Sequence, residues 1–323
     1  MKYVFFGTPE FAAIVLERLI GAGMPPATVV CNPDRPVGRK KVITPPPTKL
    51  LAQKYNIPVL QPEVLSTSNL QLLTSNCDFF VVAAYAKILP REIIELPRLG
   101  TIGVHPSLLP KYRGTTPIQS AILAGDEETG VALYCMDEKV DHGAIIAKSK
   151  AQMANSNYEM LLKKLAALGG NLLIQTLPKF VKGEIRPVPQ DESQATYTKK
   201  FATEDACVGE KDIEDAQAGD AEKAIKIDRM IRALNPEPGV WTFGSALANR
   251  PPALTPTRFE SPAGQDVVSG RRSESGRSSM RSRAGKSQIA GGKRVKLLEA
   301  EIRDGKLLLK KIQVEGKTSQ TLS

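Results

Sequence analysis

Histidine and cysteine are both scarce in this chain of 323 residues, which has two histidines and four cysteines. The cysteines lie far apart and form no CxxC pair; they are Cys31, Cys77, Cys135 and Cys207. Neither a zinc site nor a disulfide framework is indicated, because both need clustered or paired cysteines. Isolated thiols of this kind are typical of a reducing compartment. We therefore expect a protein without a metal ion.

Long apolar runs are also missing from the chain. The short apolar run near the N-terminus, residues 3–7, is broken at once by Thr-Pro-Glu and is too short for the core of a secretion signal. No later run approaches the roughly 20 residues of a membrane-spanning helix. The sequence predicts a cytoplasmic protein with no membrane partner.

Acidic residues are in the minority, since 44 Lys and Arg stand against 34 Asp and Glu and give a formal net charge of +10. This excess predicts a polyanionic partner and an association that weakens with salt. The hydrophobic content of 41% over this length is enough for one sizeable core and a second, smaller one.

Short apolar runs alternate with helical patterns over about the first 190 residues. We predict strands at 3–7, 27–32, 77–85 and 101–105, a paired set of strands at 130–137 and 143–153, and helices that include 10–23 and 156–183. The opening strand, helix and strand are typical of a right-handed crossover. The pattern predicts an α/β fold with an open, mostly parallel sheet.

The pattern changes after residue 186. We predict a first domain at 1–186, a proline-rich, polar and extended linker at 187–200, and a smaller β-rich domain at 201–323. The last domain is expected to hold one helix within 227–243 and at least two strands, with an Asp-Gly turn inside 293–316.

The β-rich domain is interrupted by residues 244–292, which are dominated by Ser, Gly, Arg and Pro. Eight Lys and Arg against three Asp and Glu place half of the net charge in this insertion. Such a composition cannot bury enough apolar surface to order itself, so we expect disorder. Two interpretations stay open: an arm that touches RNA, or a tolerated surface insertion.

One of the two histidines, His105, ends a predicted strand and opens the sequence HPSLLPKYRG. Ligands of open α/β sheets bind beyond the carboxyl ends of the strands, where Gly7-Thr8-Pro9 and Ala84-Tyr85 are also expected. Downstream, Asp141 lies in a charged turn that can reach back over the strand at 101–105. A carboxylate beside an imidazole fixes its tautomer and stabilises the cation that forms on protonation.

Five stretches together resemble the methionyl-tRNA formyltransferase family. They are GTPEFA, CNPDRPVGRKK, AYAKILP, VHPSLLPKYRGTTPIQSAILAGDEETGVALYCMDEKVDHG and ALNPEPGVWTF. The resemblance covers roughly residues 1–243 and 293–316. It implies a Rossmann-like catalytic domain, a C-terminal domain of oligonucleotide-binding (OB-like) barrel type, and transfer of a formyl group from 10-formyltetrahydrofolate to the amino group of initiator methionyl-tRNA.

On this resemblance His105 assists proton removal from the attacking amine, and Asp141 holds and polarises the imidazole or helps relay the proton. The family carries an Asn two positions before the histidine, which donates to the formyl oxygen, whereas this chain has Gly103. Three outcomes stay open: another donor substitutes (a backbone N–H, His142 or an ordered water), the enzyme is slow, or it is inactive.

The resemblance also implies a folate pocket around AYAKILP and the loop after His105. The expected folate-binding residues are Ala84, Tyr85, Ile88, Leu89, Ser107, Leu108, Leu109, Pro110 and Asp137. The alternative for residues 84–90 is an ordinary corner between a strand and the helix that Pro90 and Arg91 begin.

The basic loop within residues 32–49 is the expected contact to tRNA. Its candidate residues are Arg35, Arg39, Lys40, Lys41 and Lys49. Such side chains bind phosphates without reading sequence, and a merely solvated basic loop is the alternative. We expect a monomer whose partners are methionyl-tRNA and the folate. Two other functions stay open: formyl transfer to a sugar nucleotide or ribotide amine, or a catalytically silent tRNA-binding protein.

Overall fold

The computed structural model describes residues 1–38, 40–66, 77–244 and 293–322. Arg39 and nearly all of the predicted insertion at 244–292 lie outside the described residues. Within the described part of the chain, no helix is both long and apolar enough to cross a membrane.

A seven-stranded sheet organises the N-terminal part. In chain order its strands and those of a small hairpin are β1 (Tyr3–Gly7), β2 (Thr28–Val30), β3 (Arg35–Val37), β4 (Val42–Thr44), β5 (Val59–Leu60), β6 (Phe79–Ala83), β7 (Thr101–His105), β8 (Glu128–Cys135) and β9 (Ile145–Gln152). The sheet has the order β5-β2-β1-β6-β7-β8-β9, and β3 pairs with β4 alone. The first five strands in this order, β5, β2, β1, β6 and β7, are parallel to one another. Only the pairs β7–β8 and β8–β9 are antiparallel, so the prediction of an open, mostly parallel sheet is confirmed.

Helices cover this sheet, which explains why β1 and β7 are buried along their whole length. The helices are α1 (Glu10–Gly21), α2 (Pro47–Lys54), α3 (Arg91–Ile94), α4 (Pro117–Ala124) and α5 (Tyr158–Val181). The long helix α5 starts where the Asn157 side chain accepts the N–H of Met160, a typical N-cap. It packs closely on α1, since a Cβ on Gly170 would lie 2.6 Å from the Cβ of Arg18.

The C-terminal part combines two helices with a four-stranded antiparallel sheet. Its elements are α6 (Glu210–Ala218), α7 (Ala221–Leu234), β10 (Trp241–Phe243), β11 (Arg294–Arg303), β12 (Lys306–Val314) and β13 (Ser319–Thr321). The predicted Asp-Gly turn joins β11 to β12 with φ of 51° at Asp304 and 73° at Gly305, as a tight hairpin requires. The part is β-rich as predicted, and its described strands form an open sheet in the order β10-β11-β12-β13.

The structure adds two features to the sequence predictions for the C-terminal half. The sequence predicts one helix within 227–243, and the structure adds α6 before it, a helix whose nine residues bury only Ile213 and Ala216 and so give a weak apolar pattern. The segment 187–200 contains a 3₁₀ turn at Glu192–Gln194 and lies against the first domain: Val188 bridges to Ile145, and the carbonyl of Thr196 accepts the N–H of Arg113.

Helix α7 fixes the C-terminal part on the first domain. The Arg229 guanidinium lies where a Cβ on Gly125 would stand, and it donates to the carbonyl of Ala124 at 3.2 Å. Arg232 of the same helix donates to the carbonyl of Ser156 at 3.2 Å. The two parts therefore meet at the ends of α4 and α5.

Candidate active site

His105 closes β7 and is almost fully buried, with 5% of its surface exposed. Its Nε2 lies 2.9 Å from the backbone carbonyl oxygen of Tyr112. Because a carbonyl can only accept a hydrogen bond, Nε2 carries the proton. In the neutral ring Nδ1 is then the unprotonated nitrogen, and its lone pair is available to take a proton.

Asp141 lies beside this nitrogen, with its Oδ2 3.4 Å from His105 Nδ1. The turn that brings it there is tight, since Asp141 has φ of 50° and a Cβ on Gly143 would overlap the carbonyl oxygen of Cys135. Aspartate tolerates this left-handed conformation better than most residues. Its Oδ2 also accepts the N–H of Gly114 at 2.8 Å, and its Oδ1 accepts the Tyr134 hydroxyl at 2.6 Å. The carboxylate is thus held from two sides.

Gly103, two residues before His105, lies opposite Tyr134 of β8. The Tyr134 ring fills the space beside the glycine, and its hydroxyl oxygen lies 2.8 Å from the place of a Cβ on residue 103. The ring is 4% exposed. The bare glycine is therefore a steric requirement of this tyrosine.

A cleft of about 590 Å³ opens over His105 and Asp141. Its walls are mostly apolar and include Phe11, Val82, Ala84, Tyr85, Ile88, Val104, Pro117, Ile118, Tyr134, Met136, Val140 and Leu162. Ile88 is 92% exposed at its rim, so this apolar side chain has no protein cover. Such a cleft suits a flat, partly apolar ligand.

The backbone at the end of β6 is strained where it borders the cleft. Ala84 and Ala86 have φ of 48° and 63°, a conformation that costs about 1–2 kcal/mol for a residue with a Cβ. Tyr85 between them is buried, and among the described residues its hydroxyl finds no hydrogen-bond partner. Burial raises the pKa of this phenol to about 12.

Only some of the residues expected to bind folate line the cleft. Ala84, Tyr85 and Ile88 line the cleft, whereas Leu89 is buried beneath it. Asp137 borders a smaller pocket of about 300 Å³ next to the cleft, where its carboxylate lies 2.6 Å from Nδ1 of His142.

The loop after His105 presents its side chains elsewhere. Ser107 is fully buried and donates to the carbonyl of Lys111 at 2.6 Å. Leu109 is fully buried and packs with Tyr134, while Leu108 lies against Gly130. The carbonyl of Pro110 accepts the N–H of Thr196 at 3.3 Å. These four residues shape the loop, and Leu109 packs against Tyr134.

Sequence reasoning missed a buried cation near the site. Arg113 is fully buried and donates to both carboxylate oxygens of Glu192, at 2.6 and 3.0 Å. It also donates to the Gln190 side chain, at 2.8 Å from Nη2, and to the Tyr197 hydroxyl at 3.0 Å. Arg113 is visible in the motif, but its three partners come from the segment predicted as a linker.

The expected tRNA contacts lie on the hairpin of β3 and β4, where the sequence predicts a loop. Arg35, Lys40 and Lys41 are exposed, and Arg39 lies outside the described residues. Lys49 is different, because its ammonium lies 2.8 Å from Asp34 and so anchors the base of the hairpin. Hydrogen bonds from Lys49 and Gln61 lower the pKa of Asp34.

The segment just before the hairpin is hydrogen-bonded to the edge of the cleft. Asn32 donates from its side chain to the carbonyl of Tyr85 at 3.0 Å. Thr8, after β1, donates to the same carbonyl at 3.4 Å. The ends of three parallel strands thus meet at one edge of the cleft, and Asn32 connects that edge to the chain leading into the basic hairpin.

No group of three or more His, Cys, Asp and Glu that could hold a metal ion occurs in the part of the chain that the structure describes.

Comparison with known proteins fits this geometry. Residues 1–177 match the family described as formyl transferase. The chain is 42% identical over 246 residues to a methionyl-tRNA formyltransferase of Chloroflexus aurantiacus, with 75% of this chain and 76% of the relative covered. A methionyl-tRNA formyltransferase of Staphylococcus aureus is 43% identical over 244 residues, with 75% of each chain covered.

Among solved structures, an N-formyltransferase from Helicobacter canadensis in complex with folinic acid and dTDP-3-aminofucose aligns with a TM-score of 0.52 and 18% identity. The alignment covers 72% of this chain and 80% of that one, and it shows a shared fold. With a family match over more than half its length and relatives above 40% identity, this chain belongs to the methionyl-tRNA formyltransferases within the formyl transferase family.

Proposed function

We propose that this protein transfers the formyl group of 10-formyltetrahydrofolate to the α-amino group of initiator methionyl-tRNA, in the cytoplasm, at the start of protein synthesis. The observation that carries the proposal is the His105–Asp141 pair inside an apolar cleft that adjoins a basic hairpin. The names of the curated relatives support the same substrate.

His105 and Asp141 handle the proton of the amine. Nε2 is occupied by the Tyr112 carbonyl, so Nδ1 accepts the proton that the amine loses as its nitrogen attacks the formyl carbon. The imidazolium that forms lies 3.4 Å from the Asp141 carboxylate, which stabilises it. When the bond between the formyl carbon and folate nitrogen breaks, His105 returns the proton to that nitrogen, and the imidazole is neutral again.

The apolar walls of the cleft suit the folate ring. Exposed Ile88 covers one face, and the strained backbone at Ala84 and Ala86 borders the same space. The folate supplies the formyl group, and the protein orients it toward His105.

The basic hairpin takes the acceptor end of the tRNA. Arg35, Lys40 and Lys41 of the hairpin, together with Arg39 next to them in the sequence, supply positive charge for the phosphates that flank the aminoacyl group. The β-rich part, within the proposed domain at 201–323, cradles the body of the tRNA. Catalysis belongs to the proposed domain at 1–186.

Single-turnover formylation with 10-formyltetrahydrofolate tests the proposal. Methionyl-tRNA, a 3-amino sugar nucleotide and an aminoribotide are offered as separate acceptors. We expect rapid formylation of methionyl-tRNA alone. Faster formylation of either small amine, or tight tRNA binding without any formyl transfer, would overturn the proposal in favour of the corresponding alternative.

A further inference from the structure

Formyl transfer needs a hydrogen-bond donor at one specific atom. As the amine attacks, the electrons of the carbon–oxygen double bond move onto the formyl oxygen, and a preorganised donor stabilises the charge that develops there. Gly103 stands beside the catalytic pair on β7 and has no side chain to offer. His142, the other histidine, faces the carboxylates of Asp137 and Glu192 and does not line the cleft.

Tyr134 occupies the position that Gly103 leaves open. The two residues pair directly across β7 and β8, and the Tyr134 hydroxyl oxygen lies 2.8 Å from the place of a Cβ on residue 103. A short polar side chain at 103 would carry its donor into this same region. Tyr134 lines the cleft together with His105 and Asp141.

We propose that the Tyr134 hydroxyl is the hydrogen-bond donor to the formyl oxygen in this enzyme, a catalytic role that rests on the proposed function above. The rigid position of the ring supports this role. Leu109 and Ala132 pack around it in a small buried cluster, so the hydroxyl is preorganised.

The single proton of the hydroxyl has two acceptors at different stages. Before reaction it is donated to Oδ1 of Asp141 at 2.6 Å. When His105 takes the amine proton, the new imidazolium neutralises Asp141, while negative charge grows on the formyl oxygen. The Tyr134 O–H then turns to the oxygen that carries the charge and returns to Asp141 after the carbon–nitrogen bond to folate breaks.

The hydroxyl keeps its proton throughout the physiological range. Burial, with Asp141 close by, raises the pKa of Tyr134 well above that of an ordinary phenol. The group therefore acts as a donor and not as a base.

Tyr134→Phe tests the proposal, because it removes the hydroxyl and keeps the ring over Gly103. We expect kcat to fall about 10²-fold, the cost of one such donor in other enzymes, with the KM of both substrates changed less than about threefold. Tyr3→Phe is the matched control: Tyr3 is also buried and donates to the carbonyl of Met24 at 2.6 Å, far from the cleft. It should leave kcat unchanged.

A double-mutant cycle separates donation to substrate from mere support of Asp141. If Tyr134 acted only by holding that carboxylate, Tyr134→Phe would have no further effect in an Asp141→Ala background. We expect a further loss of about tenfold or more in single-turnover rate, and no further loss would overturn the proposal.

Transplanting the donor gives the converse test. Gly103→Asn alone should lower the rate, because the new side chain collides with the Tyr134 ring. In Tyr134→Ala, Gly103→Asn should raise the rate about tenfold or more over Tyr134→Ala alone. If the wild-type enzyme is active and the Tyr134→Phe variant has the same kcat, only this inference is overturned. If the wild-type enzyme itself transfers no formyl group, the proposed function and the inference are overturned together.

Discussion

Gln190 holds the turn of Asp141 from a distant part of the chain. Its side-chain nitrogen donates to the backbone carbonyls of Asp141 at 2.9 Å and Gly143 at 2.8 Å. Its side-chain oxygen accepts two hydrogen bonds from the buried Arg113. The extended segment therefore sets the geometry of the carboxylate that lies beside His105.

Replacing Gln190 by Ala should lower kcat about tenfold with little change in the KM for methionyl-tRNA. The physical reason is that Asp141 keeps its charge but its strained turn loses two hydrogen bonds, so the carboxylate no longer holds one position beside His105. Steady-state formylation kinetics measure this split.

Gln194→Ala is the matched control for Gln190→Ala. Gln194 lies in the same segment, but its amide donates to the exposed Asp191 at 2.8 Å. It should retain wild-type kcat, and equal losses in both variants would mean that the segment acts only through its general stability.

His105→Ala should abolish formyl transfer while the protein stays folded. The amine then loses the base that takes its proton, and removing such a base costs about 10²–10⁴-fold in rate. Single-turnover kinetics with unchanged thermal unfolding check this expectation. His142→Ala removes the other histidine, which is 30% exposed on its side chain and lies outside the cleft, and it should keep most of the activity. Retention of most activity in His105→Ala would exclude the mechanism.

The hairpin charges should control tRNA affinity and its response to salt. The double variant Lys40→Ala with Lys41→Ala, and likewise Arg39→Ala, should weaken tRNA binding and flatten the plot of log affinity against log salt. The slope should change by about 0.7–0.9 for each phosphate that the variant no longer neutralises. Fluorescence titration at several salt concentrations measures both quantities.

Lys182→Ala gives the comparison for these hairpin variants. Lys182 is 71% exposed and lies just after the C-terminal end of α5. The N-terminal end of this 24-residue helix lines the cleft, and at 1.5 Å per residue the two ends are about 36 Å apart. It should leave affinity and slope unchanged. If the hairpin variants had the same salt slope as the wild-type protein, the hairpin would not contact tRNA phosphates and would be only a solvated basic surface.

Prediction from the sequence succeeded where the signal is local. Apolar runs and glycine stops fixed β1, α1 and α5, and the strand ending at His105 placed the histidine at the carboxyl edge of the sheet. The Asp-Gly pair fixed the hairpin of β11 and β12, because both residues tolerate positive φ.

The rest of the site depends on pairings that the sequence does not encode locally. That Tyr134 faces Gly103 follows from the register of β7 against β8, which is set by the whole sheet. That Gln190 and Glu192 reach Arg113 follows from the docking of an extended polar segment, whose composition is the same as that of a free linker. The loop from Ser107 to Pro110 has apolar residues that fit a pocket wall as well as the core.

Cysteine reactivity should report whether variants are folded. Burial raises the pKa of all four thiols, and for Cys31 to about 11. A raised pKa lowers the thiolate fraction at a given pH, so alkylation of the native protein at pH 8 should be slow and should speed up as the pH rises. Cys207, the exposed one, should react first, the partly exposed Cys135 more slowly, and the buried Cys31 and Cys77 only after unfolding. Mass spectrometry of iodoacetamide-treated protein checks the order, and early labelling of Cys31 would contradict it.

The ion pair between Arg113 and Glu192 should make stability depend on pH in the acid range. The hydrogen bond from Arg113 lowers the pKa of the Glu192 carboxyl in the folded protein. A group with a lowered folded pKa stabilises the protein above its ordinary pKa, about 4.3, and this contribution is lost as the pH falls through the lower folded value. Glu192→Gln should therefore unfold at a lower temperature than wild type above about pH 5.

The difference between the two proteins should shrink as the pH falls below about 4. Once the pH has fallen through the lowered folded pKa, the wild-type carboxyl is itself protonated, so it resembles the glutamine in charge while Arg113 stays buried and cationic in both. Asp191→Asn offers the matched control, because Asp191 is a neighbouring carboxylate of lowered pKa that bonds Ser193 and Gln194 and not Arg113. Melting temperatures from pH 7 to pH 3 give both gaps, of which the one for Glu192→Gln should be the larger, and a pH-independent gap for Glu192→Gln would show that its charge does not hold Arg113.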